Sequence, residues 1–179
     1  NSGLTRPKDF FQVDELWFYA PGMEFANHDL SKTDTLSFTY RAIDIYQDLR
    51  AHQEEGTAAW LSTDLKRLKF VSQESNLSDK KEEVKDVHLL NALEHGIAEY
   101  GDGALLSEYT YEKALLYYQS ATSYQEGADA DKKEHYLKAE NICEGLISKQ
   151  ENTRGAEMAK NLLVDIRQKT LMLGVEEVL

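Results

Sequence analysis

Few residues of this chain have the types and spacing to do chemistry. His88 and His95 stand seven positions apart on one helical face, with Glu99 one turn beyond His95. Imidazole and carboxylate are ordinary donors to a metal ion. Two helical turns between the histidines is too far for one ion without outside ligands, and no H-E-x-x-H is present, so no metal site is expected. Ser78-Asp79-Lys80-Lys81 satisfies S-x-x-K, the spacing that sets a lysine beside a nucleophilic serine in β-lactamases. Its companions S-D-N and K-T-G are missing, and a capping serine–aspartate ahead of a solvated helix explains the match. Asn76-Leu77-Ser78 fits the N-glycosylation acceptor, which has meaning only in a secreted eukaryotic chain. Cys143 is the single cysteine, so it forms neither an intrachain disulfide nor a multi-cysteine metal site. It falls at a core-like helical position, with Ala139 before it and Ile147 after it, and reads as a buried, inert thiol.

No G-x-x-x-x-G-K-[ST], G-x-G-x-x-G or G-x-S-x-G occurs, which leaves nucleotide and hydrolase chemistry without a carrier. The carboxylates are many but scattered over polar faces, with none in an apolar setting that would tune it for acid catalysis. The chain therefore reads as not an enzyme: no catalytic, cofactor-binding or metal residue is assigned, and no cofactor is expected. What remains is aromatic. Seven of the ten tyrosines lie between Tyr100 and Tyr136. Tyrosine supplies area and a hydroxyl at low entropic cost, which suits recognition. Tyr109, Tyr111, Tyr117, Tyr118 and Tyr124 are the candidate interaction surface. A stripe of aromatics packed on a neighbouring helix accounts for the same cluster without any ligand.

These residues must be positioned by helices. At 179 residues, 41% hydrophobic and 29% charged, the chain has the composition of an ordinary globular protein with a sizeable core. A net charge of −12 with no basic stripe repels phosphate backbones, so nucleic acid is excluded as a partner. No run approaches the ~20 apolar residues of a membrane span. The two prolines, Pro7 and Pro21, leave everything after Pro21 free to be helical. Residues 1–34 read as an irregular, aromatic-rich arm, or a short helix, that lays Phe10, Phe11 and Leu16–Tyr19 on the body.

Six helices are expected over 35–169. The first, over 35–54, places Phe38, Ala42, Ile45 and Leu49 on one face. The second, over 57–73, does so with Ala58, Leu61, Leu65 and Leu68. The third carries Leu89, Leu93, Ile97 and Tyr100, with Asp79 and Glu82 as its cap pair and Gly101-Asp102-Gly103 as its stop. The fourth runs from Ser107 to about Glu126. The fifth, capped by Asp131 and Glu134, carries Tyr136, Ala139, Cys143 and Leu146, and the sixth Ala156, Ala159, Leu163 and Ile166. Beyond Lys169 the apolar residues Leu171, Leu173 and Val175 alternate, a strand period, so 170–179 is expected to be a linker or strand leading into a following domain. The fold class is all-α, an antiparallel helix-pair array.

Within it, Tyr117-x-x-Ser120-Ala121-x-x-Tyr124, followed by Ala139-x-x-x-Cys143, follows the tetratricopeptide pattern. That pattern is about packing: small Ala121 and Ala139 let two helices approach while the tyrosines fill the space beside them. Tyr stands for Trp, Ser for Leu and Cys for Phe, and no proline closes the unit.

From Leu89 onward the sequence resembles the helical N-terminal region of large bacterial alpha-2-macroglobulin-like proteins. The likeness is carried by Leu90-Asn91-Ala92-Leu93-Glu94 with Ile97 to Asp102, by Ala114 to Tyr118, by Lys138 to Glu144, by Gly155-Ala156 to Ile166, and by Thr170 to Leu173 with Val175 to Val178. The resemblance covers the second half of the chain. It implies an exported protein, periplasmic or anchored in the envelope through a removed N-terminal segment, of a kind thought to trap proteases. Here the implied role is a non-catalytic helical module whose partners are other domains of its own parent chain or another protein. The thioester of that family uses C-x-E-Q; Cys143-Glu144-Gly145-Leu146 is not that motif, so no reactive residue carries over. The alternative is a stand-alone envelope lipoprotein that binds glycan or peptide in a helical groove.

Overall fold

The computed structural model describes residues 10–30, 34, 36–77, 86–101, 103–122 and 132–176, with the backbone alone for 132–133 and 170–176. Seven α-helices span Gly22–Asn27 (α1), Phe38–His52 (α2), Ala58–Glu74 (α3), Val87–Tyr100 (α4), Ser107–Thr122 (α5), Lys132–Lys149 (α6) and Arg154–Glu176 (α7). Single 3-10 turns at Leu16–Tyr19 and Ala104–Leu106 precede α1 and α5. The chain is all-α, as expected. It divides into two compact units, Asn1–Asp79 and Lys80–Leu179, where the sequence predicts one array over 35–169.

In the first unit the aromatic arm is part of the core. Short polar side chains start the helices: Ser37 Oγ accepts from Tyr40 N at 3.2 Å, and Thr57 Oγ1 accepts from Trp60 N at 3.3 Å. Each satisfies one of the donors that a helix start leaves without an intrahelical partner. Phe11, Val13, Phe18 and Phe25 from the arm are buried, as are Ile43 of α2 and Trp60, Leu61, Leu65, Leu68 and Val71 of α3. The arm is tied at its far end by Asn76 N donating to Val13 O at 2.9 Å. Asp34 holds the turn into α2, its carboxylate accepting from the Phe11, Leu36 and Ser37 amides at 3.2–3.4 Å.

The inward face of α2 differs from the expected one. Ile43, Gln47 and Arg50 are buried, whereas Phe38, Ile45 and Leu49 are exposed. Two of the three inward residues are polar, so apolar spacing cannot find the face. They are buried because they have partners: Gln47 Nε2 donates to the Phe25 and His28 carbonyls at 2.8 Å, and Arg50 Nη1 donates to the Trp60 carbonyl at 2.8 Å. On α3 the expected Leu61, Leu65 and Leu68 are buried, but Ala58 is exposed and Trp60 points inward instead.

In the second unit, α5, α6 and α7 pack on one another around a core of small residues. Ala114, Ala121, Ala139, Cys143, Ala156, Ala159 and Ile166 are at most 1% exposed, with Leu146, Leu162 and Tyr136 also buried. Leu162, not Leu163, is the buried leucine of α7. Without side-chain bulk, backbones come close. A Cβ on Gly155 would lie 2.1 Å from the Ser107 carbonyl oxygen, so the first turns of α7 and α5 meet backbone to backbone. A Cβ on Gly96 would lie 3.0 Å from the Tyr109 ring, the same device between α4 and α5. Leu89, Leu90 and Leu93 are the buried leucines of α4, which ends at Gly101, whose φ of +84° suits a residue without a Cβ. The start of α4 is Asp86, whose Oδ1 accepts from Leu89 N at 2.8 Å. The expected cap residues Asp79, Glu82 and Asp131 lie outside the described residues.

The expected strand after Lys169 is corrected: α7 continues to Glu176. Leu171-Met172-Leu173 is too short an apolar run for period to separate strand from helix. Leucine and methionine are good helix formers, and a helix already running adds each further residue without a new nucleus.

Candidate interaction surface

Residues of three helices bring the tyrosines together, and the packing of those helices decides what they can do. Tyr109, near the start of α5, is 2% exposed beneath Gly96 of α4. Tyr111, Tyr117 and Tyr118 are half-buried along α5 and rest against the alanine-rich core. Tyr118 meets Tyr136 of α6 edge-on, with ring centroids 6.0 Å apart. Tyr117 lies 5.5 Å from the ring of His135, which is itself fully buried. Burial pushes the Tyr111 hydroxyl above the usual phenol range, helped by Glu112, Cys143 and Asp165. Burial also raises those of Tyr118 and Tyr136. Tyr124 lies outside the described residues. None of the described tyrosines from 100 to 136 is exposed. Of the four described candidates, Tyr109 is buried, while Tyr111, Tyr117 and Tyr118 fill space between helices and keep part of their surface in solvent.

Cys143 sits among them, fully buried. Its thiol is pushed up to about 11, first by burial and then by the carboxylates of Glu140 and Glu144. A thiol held protonated is a poor nucleophile and a poor metal ligand. His95 Nδ1 and Glu99 Oε2 are 3.4 Å apart on the exposed side of α4. Among the described residues, no group of three or more histidine, cysteine, aspartate or glutamate side chains is placed to hold a metal ion. Ser78, Asp79, Lys80 and Lys81 lie outside the described residues, as does the last residue of the Asn76-Leu77-Ser78 sequon.

The polar cluster that the sequence does not reveal is in the first unit. Arg67 Nε and Nη2 reach Asp64 Oδ1 at 2.9 and 2.8 Å, and Arg50 Nη2 approaches the same oxygen at 3.6 Å. Arg67 also donates to the carbonyls of Phe18 at 2.6 Å and Ala20 at 3.0 Å. The guanidinium of Arg50 lies 3.1 Å over the Trp60 ring, and that of Arg67 lies 4.3 Å over Phe25. Both guanidinium groups are at most 1% exposed. This arrangement clamps the arm to α2 and α3. Its only signal in the sequence is Asp64-x-x-Arg67 on a helix, a spacing shared with many solvated pairs.

Two open clefts accompany these clusters. One of about 230 Å³ in the second unit is lined by Ile97, Ile142, Leu146, Lys113, Asn141 and Lys149, among others. Lys113 is paired with Glu94 at 2.7 Å. The other, of about 300 Å³ in the first unit, is lined by Asp14, Glu15, Trp17, His28 and Asp29, with the Trp17 ring stacked on both Phe18 and His28. Both lie at or below the small end of ligand cavities.

The fold and its buried contacts thus define an all-α protein built by helix pairing, with side chains that pack and clamp. No family model, no curated protein and no solved structure matches this chain. Among the described residues no helix is long and apolar enough to cross a membrane.

Proposed function

We propose that the chain is a non-catalytic helical module that packs against, or recruits, other protein within an exported alpha-2-macroglobulin-like parent. The observation that carries the modular part is the α5–α6–α7 packing. Ala114, Ala121, Ala139, Ala156 and Ala159 are at most 1% exposed, so three helices approach over small side chains as tetratricopeptide-type pairs do. Such pairs stack into extended surfaces suited to binding other protein. Arg167 of α7, bridging Glu140 at 3.1 Å and Glu144 at 2.6 Å on α6, adds to the same pairing.

The macroglobulin-like part, with its export and envelope anchoring, rests on the sequence echoes from Leu89 to Ile166. The tail contributes nothing to it, because α7 is helical through Glu176. Reading the parent gene on both sides of this segment tests the proposal. β-Sandwich domains following Leu179 and an export signal before Asn1 are the expected result; a reading frame that stops at Leu179 overturns it. The stand-alone groove-binding lipoprotein has no observation in its favour: Tyr109 is buried and Tyr111, Tyr117 and Tyr118 are half-buried.

A further inference from the structure

Among the described residues, exposed large apolar side chains gather on one face of α2. Phe38 is 85% exposed, Ile45 57% and Leu49 42%, with half-buried Ala42 between them and Leu36 at 88% just ahead of the helix. The spacing of four, three and four residues sets Phe38, Ala42, Ile45 and Leu49 on one stripe. A contiguous apolar stripe of this kind on a soluble protein marks an interaction site. On the opposite side of the same helix, Ile43, Gln47 and Arg50 already bury it in the first unit, so the stripe is a second, outward seam.

Size and charge along the stripe indicate what covers it. Two copies of α2 laid antiparallel about a two-fold axis between Ala42 and Ile45 bring Phe38 over Leu49 of the second copy. They also bring small Ala42 over bulky Ile45, so large and small side chains alternate across the seam. One flank of the stripe carries Arg41 and, two turns on, Asp48, both exposed. The same two-fold axis keeps that flank on one side and reverses its direction, which brings Arg41 to about 3 Å along the axis from the level of Asp48 of the second copy, within reach of its long side chain, twice. Self-complementarity of this sort is what an isologous interface requires.

We infer that the outward face of α2 is a homodimerisation surface, in which a second copy of this chain docks antiparallel through Phe38, Ala42, Ile45 and Leu49. The inference stands on the first unit alone and is independent of the macroglobulin-like reading. A single helix pair is a small interface, so a dissociation constant of about 100 µM or tighter is the scale to look for.

Sedimentation velocity over a concentration series of the 179-residue chain reads this directly. A monomer–dimer equilibrium is expected, and Ile45→Asp is expected to weaken it at least tenfold. Arg41→Asp and Asp48→Arg should each weaken association, and the doubly reversed Arg41→Asp, Asp48→Arg chain should recover it, which a merely structural effect would not do. If Ile45→Asp lowers the melting temperature, Phe38→Ser replaces it, because Phe38 has almost no contacts to lose. A chain that stays monomeric throughout, association indifferent to both apolar substitutions, or a double reversal no better than the singles overturns the inference. So does a different protein seated on this face with no self-association.

Discussion

Arg67 ties the arm of the first unit to α3. Its guanidinium serves Asp64 and two carbonyls of the arm, all inside the protein. Removing one partner of a buried charged group leaves the rest desolvated and uncompensated. Arg67→Met should therefore lower stability by about 3–5 kcal/mol in urea unfolding, and a loss below about 1 kcal/mol would contradict the clamp. Cys143 supplies a test of a different kind. Its folded thiol is raised to about 11 against an ordinary 9.0, so the protonated form is favoured by folding. From that sign, its contribution is fully present below pH 9 and is lost as pH rises through 11. Cys143→Ala should flatten the alkaline decline of stability between those values, leaving whatever the raised tyrosines contribute. Alkylation of Cys143 at pH 8 should be slow in the folded protein and fast once it is unfolded. The cysteine's burial was legible from its helical position. The arginines were not, because apolar spacing reads every charged residue as outward, and only the carbonyls of Phe18, Ala20 and Trp60 make them inward.

At the scale of elements, the second unit is governed by how closely helices approach. Gly155→Ala forces a Cβ against the Ser107 backbone, which cannot swing aside, and should cost about 1–3 kcal/mol as overpacking does. Gly145→Ala is the contrast: nothing lies within 4 Å of its added Cβ, so it should stabilise α6 by about 0.5–1 kcal/mol. Opposite shifts of the melting temperature in the two variants check both at once. Ala139→Leu, in the fully buried seam, should destabilise in the same range as Gly155→Ala. The seam was legible because Ala139 with Cys143 on α6, and Ala156 with Ala159 on α7, stand at helical spacing, and Ala121 fits the small position of the helix-pair pattern. The faces of α2 were not, because the better apolar stripe of that helix is the outward one. Nor was the extent of α7, since a three-residue apolar run has no period.

At the scale of the whole molecule, net charge bears on nucleic acid. With −12 and no basic stripe, the chain should give no shift of duplex DNA in a gel at low salt, where phosphate attraction is strongest; a retarded band would revise that exclusion. The sequence by itself determined the all-α class, the helix pairs of the second unit and the burial of its alanines and cysteine. Those follow from local period, turn residues and side-chain size, which need only neighbours along the chain. Only the tertiary structure decided that Tyr109 is buried and Tyr111, Tyr117 and Tyr118 half-buried, that Arg50 and Arg67 are buried, and that Phe38, Ile45 and Leu49 face water. Each of these depends on partners distant in sequence. Phe18 lies 49 residues from the arginine that holds it, and no local pattern encodes a distance of that kind.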